Sequence, residues 1–442
     1  MTIQVSPSSI PDSLLDRDAF LSDLLSRVTT KKEDGWLQDL RDGAANWVRH
    51  SVIPNTREEE WRFTDLSPLK QVTFNNVEAF HGISLQQNDL ILPEVSQRLV
   101  FVNGVYAPDL SNTKNLPAGL IIGNLDVLPG EVVEEYLAQA EGAKEVFTAL
   151  NTAALNDVAV VWASKNVVVE EPIHLLFVSV SGESATISQP RCLVVAESNS
   201  QVSLIEEYRN HKDTEEAVYF TNSVTEIWVN ENAQVSHTRV VLEGDAAFHI
   251  GKTAVTQARY SRYSCDAVTI GGKLSRHNLE ILQTGEQTET ILNGLTVIAE
   301  KQLADTHSAI ALNHPHGISK QLHKCIIGDR AHGVFNGKVF VPKPAQLTDA
   351  SQLNRNLLLS SKARIDTKPQ LEITADNVKC AHGATVSQLE DDEIFYLQSR
   401  GIDENNARKL LVNAFASEII NLIPIPSLRD KLLKTVVSLT NK

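Results

Sequence analysis

The spacing of apolar residues divides the chain into three parts, of which the first is helical. Between about residues 12 and 69, apolar positions recur every three or four residues, as on one face of an amphipathic helix. A charged and aromatic cluster at residues 58–64 closes this pattern, and we expect Trp61 to pack inward at a helix end. The first part is therefore predicted to be a helical domain, residues 1–90.

The middle part carries short apolar runs of strand length, residues 99–102, 158–162, 192–196 and 339–341 among them. Turn-forming residues separate such runs, at Asn103-Gly104, Ser198-Asn199-Ser200, Asn230-Glu231-Asn232, Gly271-Gly272 and Asn293-Gly294. Helical spacing interrupts the pattern at about residues 131–154. The sequence predicts many short strands over residues 91–387, with one helical insertion.

A five-residue motif occurs twice in this middle part. Residues 199–203, NSQVS, reappear as residues 232–236, NAQVS, at an offset of 33 positions. Short strands separated by turns can form a sandwich, a barrel or a β-solenoid. The absence of long helical crossovers between about residues 190 and 385 favours the solenoid. Chance similarity between two strands is the alternative explanation of the repeat.

Helical spacing returns after residue 390. Three acids at residues 391–393 suit the first turn of a helix, and Gly401 suits its C-terminal end. Asp403 can cap a second helix, and a last amphipathic piece covers residues 428–439. We predict a C-terminal helical domain, residues 388–442.

Composition restricts the possible partners of this 442-residue chain. Acids outnumber bases 55 to 40, which disfavours nucleic acid as a partner. No apolar run is long enough to span a bilayer, so no membrane insertion is expected. The first residues lack the basic and apolar segments of a secretory signal, so we expect a cytoplasmic location.

The local signatures of common enzymes are absent from the sequence. Gly272-Lys273 would need glycine in place of Ala267 and serine or threonine in place of Leu274 to form a phosphate-binding loop. Neither a dinucleotide-binding glycine motif nor a G-x-S-x-G or H-E-x-x-H motif occurs. We therefore expect no ATP to bind this chain. A stand-alone metal-dependent hydrolase or lyase is the alternative, although the sequence offers no convergent pair of acids.

Cys380 and His382 form the most specific local feature. They are two residues apart, so in an extended chain both side chains would point to one face. A thiolate and an imidazole could share one metal ion, but two donors cannot complete a tetrahedral site. A partner would then supply the remaining ligands. The alternative is a small buried thiol beside a histidine in a turn.

Residues 368–402 read KPQLEITADNVKCAHGATVSQLEDDEIFYLQSRGI. This stretch resembles the SufB and SufD family, subunits of the SUF (SufBCD) iron–sulfur cluster assembly complex. Residues 60–66, 99–104, 149–151 and 171–174 also match family positions, so the resemblance covers essentially the whole chain. Gly383-Ala384-Thr385 and the Trp61 motif are similar to the SufD branch, and a SufB-like paralogue is the alternative.

The resemblance implies a mainly β fold, a right-handed parallel β-helix core flanked by N-terminal and C-terminal α-helical domains. It also implies a non-catalytic scaffold that pairs with SufB through the β-helix and binds the SufC ATPase through its C-terminal helices. A transient iron or iron–sulfur cluster would be shared with SufB. Flavin binding stays open, and the isolated chain could form a homodimer.

The resemblance also selects candidate residues. His382 is the first choice as a ligand of the nascent cluster and Cys380 the second. The candidate SufC-binding residues are Ser399, Arg400, Gly401, Arg408, Leu411 and Phe415. Two alternatives remain: Leu411 and Phe415 could pack only within their own domain, and the chain could be a structural partner without any ligand role.

Overall fold

The computed structural model describes residues 17–28, 30, 35–76, 91–140, 142, 145–180, 184–211 and 217–439. The extreme N-terminus, on which the expected location partly rests, lies outside these residues. The described helices are α1 Ala19–Ser26, α2 Trp36–Arg49, α3 Ser67–Lys70, α4 Gly130–Glu134, α5 Val146–Ala153, α6 Asp391–Ser399, α7 Glu404–Ile420 and α8 Pro426–Leu439.

Strands make up most of the remaining described chain. They are β1 Asn75–Asn76, β2 Gln97–Val102, β3 Val105–Tyr106, β4 Leu120–Gly123, β5 Ala159–Ala163, β6 Ile173–Ser179, β7 Thr186–Ser188, β8 Arg191–Ala196, β9 Gln201–Asn210, β10 Tyr219–Val229, β11 Gln234–Glu243, β12 Phe248–Gln257, β13 Arg262–Gly271, β14 Leu274–Gln283, β15 Glu289–Ile298, β16 Leu303–Ala311, β17 Ile318–Ile327, β18 His332–Val341, β19 Asp349–Leu358, β20 Arg364–Ile373 and β21 Lys379–Gln388.

The strands form a parallel β-solenoid of about 8 turns. From β8 onward the chain alternates between two sheets, so that each strand pairs with the strand two places along. One sheet runs β8-β10-β12-β14-β16-β18-β20, and the other runs β9-β11-β13-β15-β17-β19-β21. The predicted solenoid is confirmed, and its right-handed sense stays a prediction.

The repeated five-residue motif marks two successive turns of this solenoid. Val235 pairs with Val202 in a parallel register offset by 33 residues. At the corner before these strands, Asn232 Nδ2 donates to Asn199 Oδ1 over 2.9 Å. Both asparagines have positive φ, 57° and 62°, a conformation that asparagine tolerates better than most residues. The repeat therefore reflects stacking of turns and not a chance similarity.

The helices cover the outer faces of the two sheets. Phe220 and Phe248 of the even-numbered sheet pack against Trp61 and other apolar residues of the N-terminal part. Val268 and Ile326 of the odd-numbered sheet pack against α7 and α8. Between the sheets, aliphatic residues stack in register along the axis, in the order Val194, Ile227, Val255, Ile281, Ile310 and Val339.

One predicted turn is wrong. Asn293-Gly294 lies inside β15 and not at a corner. Gly294 is needed there because a Cβ atom would overlap the imidazole of His323 on the neighbouring strand. The glycine that resembled a turn signal instead makes room for a buried side chain. The other four predicted turns do separate strands.

The predicted C-terminal helices are confirmed, as is a helical insertion, which consists of the short α4 and α5. Asp403 caps α7 by accepting the backbone N–H of Asn406 over 3.1 Å. Gly401 follows α6 with φ of 83°, where a side chain would be strained. Within the described ranges, no helix is both long and apolar enough to cross a membrane.

Candidate functional site

The solenoid is open at its C-terminal end. Strands β20 and β21 are the last members of their sheets, and within the described chain each is bonded to a neighbour along one edge only. The side chains of β21 are mostly exposed, whereas those of β17 are mostly buried. The final turn therefore presents unpaired backbone and part of the solenoid interior to solvent.

Cys380 and His382 both lie on β21 in this final turn. Cys380 pairs with Ala350 and packs against the interior cluster, so the inward face of β21 carries both residues. Partial burial, together with the nearby Asp349 carboxylate, raises the pKa of the Cys380 thiol despite a backbone hydrogen bond that lowers it. The His382 side chain is exposed, and its ladder partner is Gln352.

The histidines between residues 277 and 382 do not gather on one face. His277 and His323 are buried in the interior, His307 contacts the N-terminal part, and His332 bonds Asp366 on the outer face. In the described parts of the chain, no three His, Cys, Asp or Glu side chains converge on a position that could hold a metal ion.

A buried polar cluster near the middle of the solenoid was missed by the sequence analysis. Glu206 accepts hydrogen bonds from Tyr208 at 2.7 Å and from His237 Nε2 at 2.9 Å. His237 Nδ1 lies 2.9 Å from the Tyr263 hydroxyl and 4.0 Å from Cys265 Sγ. These residues are on neighbouring turns, so only the solenoid register brings them together.

The same cluster continues through Arg239. Its Nε lies 3.6 Å from Glu206, and its Nη2 donates to His249 Nε2 over 2.8 Å. His249 Nδ1 in turn donates to Glu243 over 3.0 Å. Gly251 makes room for this arrangement, because a Cβ atom there would overlap the Arg239 guanidinium.

The charges in this cluster stabilise one another. Burial would raise the pKa of Glu206, but His237 and Arg239 outweigh burial and lower that pKa to about 2. Burial would lower the pKa of His237, but the Cys265 sulfur and the Glu206 carboxylate raise it to about 10. The interior therefore holds an imidazolium, a guanidinium and a carboxylate in direct contact.

The Trp61 motif docks on the outer face of the even-numbered sheet. Trp61 is buried beneath the Arg276 guanidinium, and Arg276 pairs with the buried carboxylate of Asp305. Thr64 donates its hydroxyl to the same carboxylate. The inward packing predicted for Trp61 is confirmed, and the motif forms a polar and aromatic contact with the solenoid.

Three further ion pairs extend this contact towards the open end. Glu60 lies 3.2 Å from His307 Nδ1, and His307 Nε2 lies 3.0 Å from Asp305. Glu59 pairs with Lys368 of the final strand β20. Burial would lower the pKa of His307, but the carboxylates of Asp305 and Glu60 raise it.

The candidate SufC-binding residues occupy different environments on the C-terminal helices. Ser399, Arg400, Gly401 and Arg408 are exposed, and Leu411 is half-buried. Phe415 faces the sheet, where Lys324 Nζ lies 3.8 Å from its ring centroid.

Exposed apolar residues on these helices were not among the candidates. Phe395 is 69% and Tyr396 59% exposed on α6, and Leu410 is 48% exposed on α7. The sequence shows their helical spacing, but only the folded structure shows which face of each helix is left exposed.

Polar contacts fix the C-terminal helices to the solenoid. Lys324 of β17 donates to Glu418 of α7 over 2.7 Å, and Lys431 of α8 donates to Glu207 of β9 over 2.8 Å. Glu207 also accepts from buried His174 over 3.1 Å. Burial would raise the pKa of Glu207, but His174, Lys431 and Arg209 lower it strongly.

Comparison with known proteins matches most of the chain to one family. Residues 177–415 match the family described as "SUF system FeS cluster assembly, SufBD core domain", and residues 23–175 match the "SufBD protein N-terminal region". The chain is 50% identical over 416 residues to an iron–sulfur cluster assembly SufBD family protein of Synechocystis, with 91% of each chain covered.

More distant relatives cover similar lengths. The chain is 35% identical to protein ABCI7, chloroplastic, of Arabidopsis thaliana, over 89% of this chain and 84% of that protein. It is 32% identical to the iron–sulfur cluster assembly protein SufD of Escherichia coli, over 87% of this chain and 88% of that protein. The chain belongs to the SufBD family of iron–sulfur cluster assembly proteins.

Proposed function

We propose that this chain is the non-catalytic SufD-type scaffold of a SufB–SufC–SufD complex, pairing with SufB at the open end of its solenoid. The observation that carries the proposal is the free edge of β20 and β21 beside Cys380 and His382. Free strand edges readily pair with other strands. A partner solenoid that added its own strands would cover this edge and bring its side chains to the two donors.

The open end would then form a shared site for the nascent cluster. His382 supplies an imidazole, a competent ligand for iron. Cys380 is the weaker candidate, because the raised pKa of its thiol opposes formation of the thiolate that binds metal. Iron is the cargo here, and SufB contributes the remaining ligands.

The C-terminal helices would connect this site to the SufC ATPase. Lys324 and Phe415 tie α7 to β17, and Lys431 ties α8 to Glu207 of β9. A pull on α6–α8 by SufC would therefore act on the odd-numbered sheet, which ends in β21. Such coupling requires that ATP-bound SufC favour one arrangement of the open end over another.

Substitution of His382 tests the ligand role. Complexes of His382→Ala with SufB and SufC should build clusters more slowly in cells and retain less iron on metal analysis. The exposed corner residue His316 offers a matched control, because asparagine tolerates its φ of 61°. Normal cluster formation by His382→Ala, with His316→Asn also normal, would exclude the ligand role. Slow formation with unchanged iron content would indicate a purely structural partner.

Co-purification tests the scaffold role. The tagged chain should recover both SufB and SufC from cells that express all three subunits. Recovery of the chain alone, with full cluster-assembly activity, would contradict the scaffold role and favour a stand-alone enzyme.

A further inference from the structure

Inward-facing residues on successive strands of the odd-numbered sheet form a column that ends at His382. The last three members of this column, on β17, β19 and β21, are polar. Gln321 of β17 pairs with Gln352 of β19, and Gln352 pairs with His382 of β21. Ladder partners on adjacent strands lie about 4.8 Å apart and project to the same face. Gln352 is therefore the inward neighbour of His382.

Hydrogen bonds from deeper in the solenoid fix the orientation of Gln352. Its Nε2 donates to Gln321 Oε1 over 2.8 Å, and Gln321 Nε2 donates to Ser308 Oγ over 2.8 Å. Gln352 is 2% exposed and Gln321 7% exposed. The bond to Gln321 is made by the NH2 group of the Gln352 amide, so the carbonyl oxygen Oε1 of the same amide still needs a hydrogen-bond donor.

That oxygen is a buried acceptor in need of a donor. Gln352 Oε1 accepts no hydrogen bond from the described portion of the chain as it stands. A buried acceptor without a partner costs about 1–3 kcal/mol. The next polar side chain in the column is the imidazole of His382, whose ring N–H is a suitable donor. Gly337 on the facing sheet keeps the place open, because a Cβ atom there would overlap the Gln352 amide.

We infer that Gln352 is a positioning residue: rotation of the exposed His382 side chain towards the interior lets one of its ring N–H groups donate a hydrogen bond to Gln352 Oε1. The other ring nitrogen is then unprotonated and faces the open end. A metal-binding histidine commonly donates its second N–H to such an acceptor, which fixes its tautomer and increases its basicity. This inference rests on the proposed ligand role of His382.

The first test measures the tautomer of His382 in the isolated full-length chain. Nitrogen-15 NMR spectra of the histidine rings would be recorded at a pH high enough to keep imidazoles neutral. Comparison with the spectrum of His382→Ala would assign the His382 signals. One tautomer should dominate in the native chain and lose its preference in Gln352→Met, which keeps the side-chain size but removes the carbonyl. Asn354→Leu is the matched control, because Asn354 is equally buried on the same face of β19 but neighbours Ala384. An unchanged tautomer in folded Gln352→Met overturns the inference.

The second test measures Fe²⁺ binding by the purified complex with SufB. Gln352→Met should weaken the affinity about 10- to 100-fold, the usual effect of losing such an acceptor, and Asn354→Leu should change it far less. Loss of Fe²⁺ binding in His382→Ala with native affinity in Gln352→Met overturns this inference and leaves the proposed function standing. Native affinity in His382→Ala instead overturns the proposed ligand role itself.

Discussion

The guanidinium of Arg276 lies over the indole ring of Trp61, with 3.8 Å between its Cζ and the ring centroid. The same guanidinium pairs with Asp305, and both members of that pair are almost fully buried. One side chain thus connects the N-terminal motif to two strands of the solenoid, β14 and β16.

Removal of this arginine should destabilise the fold strongly. Arg276→Leu keeps much of the bulk but removes the guanidinium from the buried Asp305 carboxylate, which then has only His307 and the Thr64 hydroxyl as partners. We expect the free energy of unfolding to fall by about 3–5 kcal/mol, the usual cost of breaking a buried ion pair, measured by urea denaturation. Arg262→Leu on β13 of the other sheet is the control, since its pair with Glu289 is largely exposed and its loss should cost under about 0.5 kcal/mol. Similar losses in both variants would contradict this expectation.

Acid should destabilise the protein through His323. Burial alone lowers the pKa of this imidazole from 6.5 to about 4. Between these values the unfolded chain binds a proton that the folded chain does not, so stability falls as the pH drops. The contribution amounts to about 3 kcal/mol between pH 6.5 and 4. His323→Gln should flatten that part of the pH–stability curve, and His316→Asn should not. An equal slope in all three proteins would show that His323 does not remain neutral.

The interior cluster should depend on the charge of Glu206. Glu206→Gln keeps the shape and one acceptor oxygen but leaves Arg239 and the His237 imidazolium without their counter-charge. We expect a loss of about 3–5 kcal/mol in unfolding free energy and a decrease in the pKa of His237, followed by NMR titration. Glu289→Gln, at a more exposed pair, should change the stability by under about 0.5 kcal/mol. Full stability of Glu206→Gln would contradict a stabilising role for the Glu206 carboxylate towards Arg239 and His237.

The sequence predicted the strands and their stacking well because both depend on local pattern. Apolar runs between turn formers marked strands such as β8, and the repeated motif at Asn199 and Asn232 already contained the offset of one turn. The turn predicted at Gly294 was wrong, because glycine is required there for a different reason: a Cβ atom would overlap the His323 ring. His323 is distant in sequence, so the local pattern does not show this requirement.

The buried polar groups could not be predicted in the same way. Glu206 and Glu207 are adjacent, so one faces the interior and the other faces α8, yet both are buried. Their partners are His237 in the next turn and Lys431 in the last helix. Alternation along a strand describes which face a residue occupies but carries no information on what covers that face.

The exposed aromatic pair on α6 should be essential for binding the SufC ATPase. Phe395 and Tyr396 are 69% and 59% exposed, so changing both to serine should alter the unfolding free energy by less than about 1 kcal/mol. An aromatic residue that is a hot spot of an interface contributes about 2 kcal/mol or more to binding. We therefore expect the double variant to lose SufC in co-purification while it still recovers SufB.

The control for this surface is Phe415, which the resemblance to the SufB and SufD family selected as a candidate SufC contact. Because Phe415 packs under Lys324 against the solenoid, Phe415→Ala should lower the free energy of unfolding by about 2 kcal/mol or more. Its effect on SufC binding should then follow from loosening of α7, which is seen as faster hydrogen exchange along that helix. Two results together would contradict this assignment: the Phe395 and Tyr396 double variant retains SufC, and Phe415→Ala loses SufC although its stability is unchanged. SufC would then bind the sheet side of α7 and not α6.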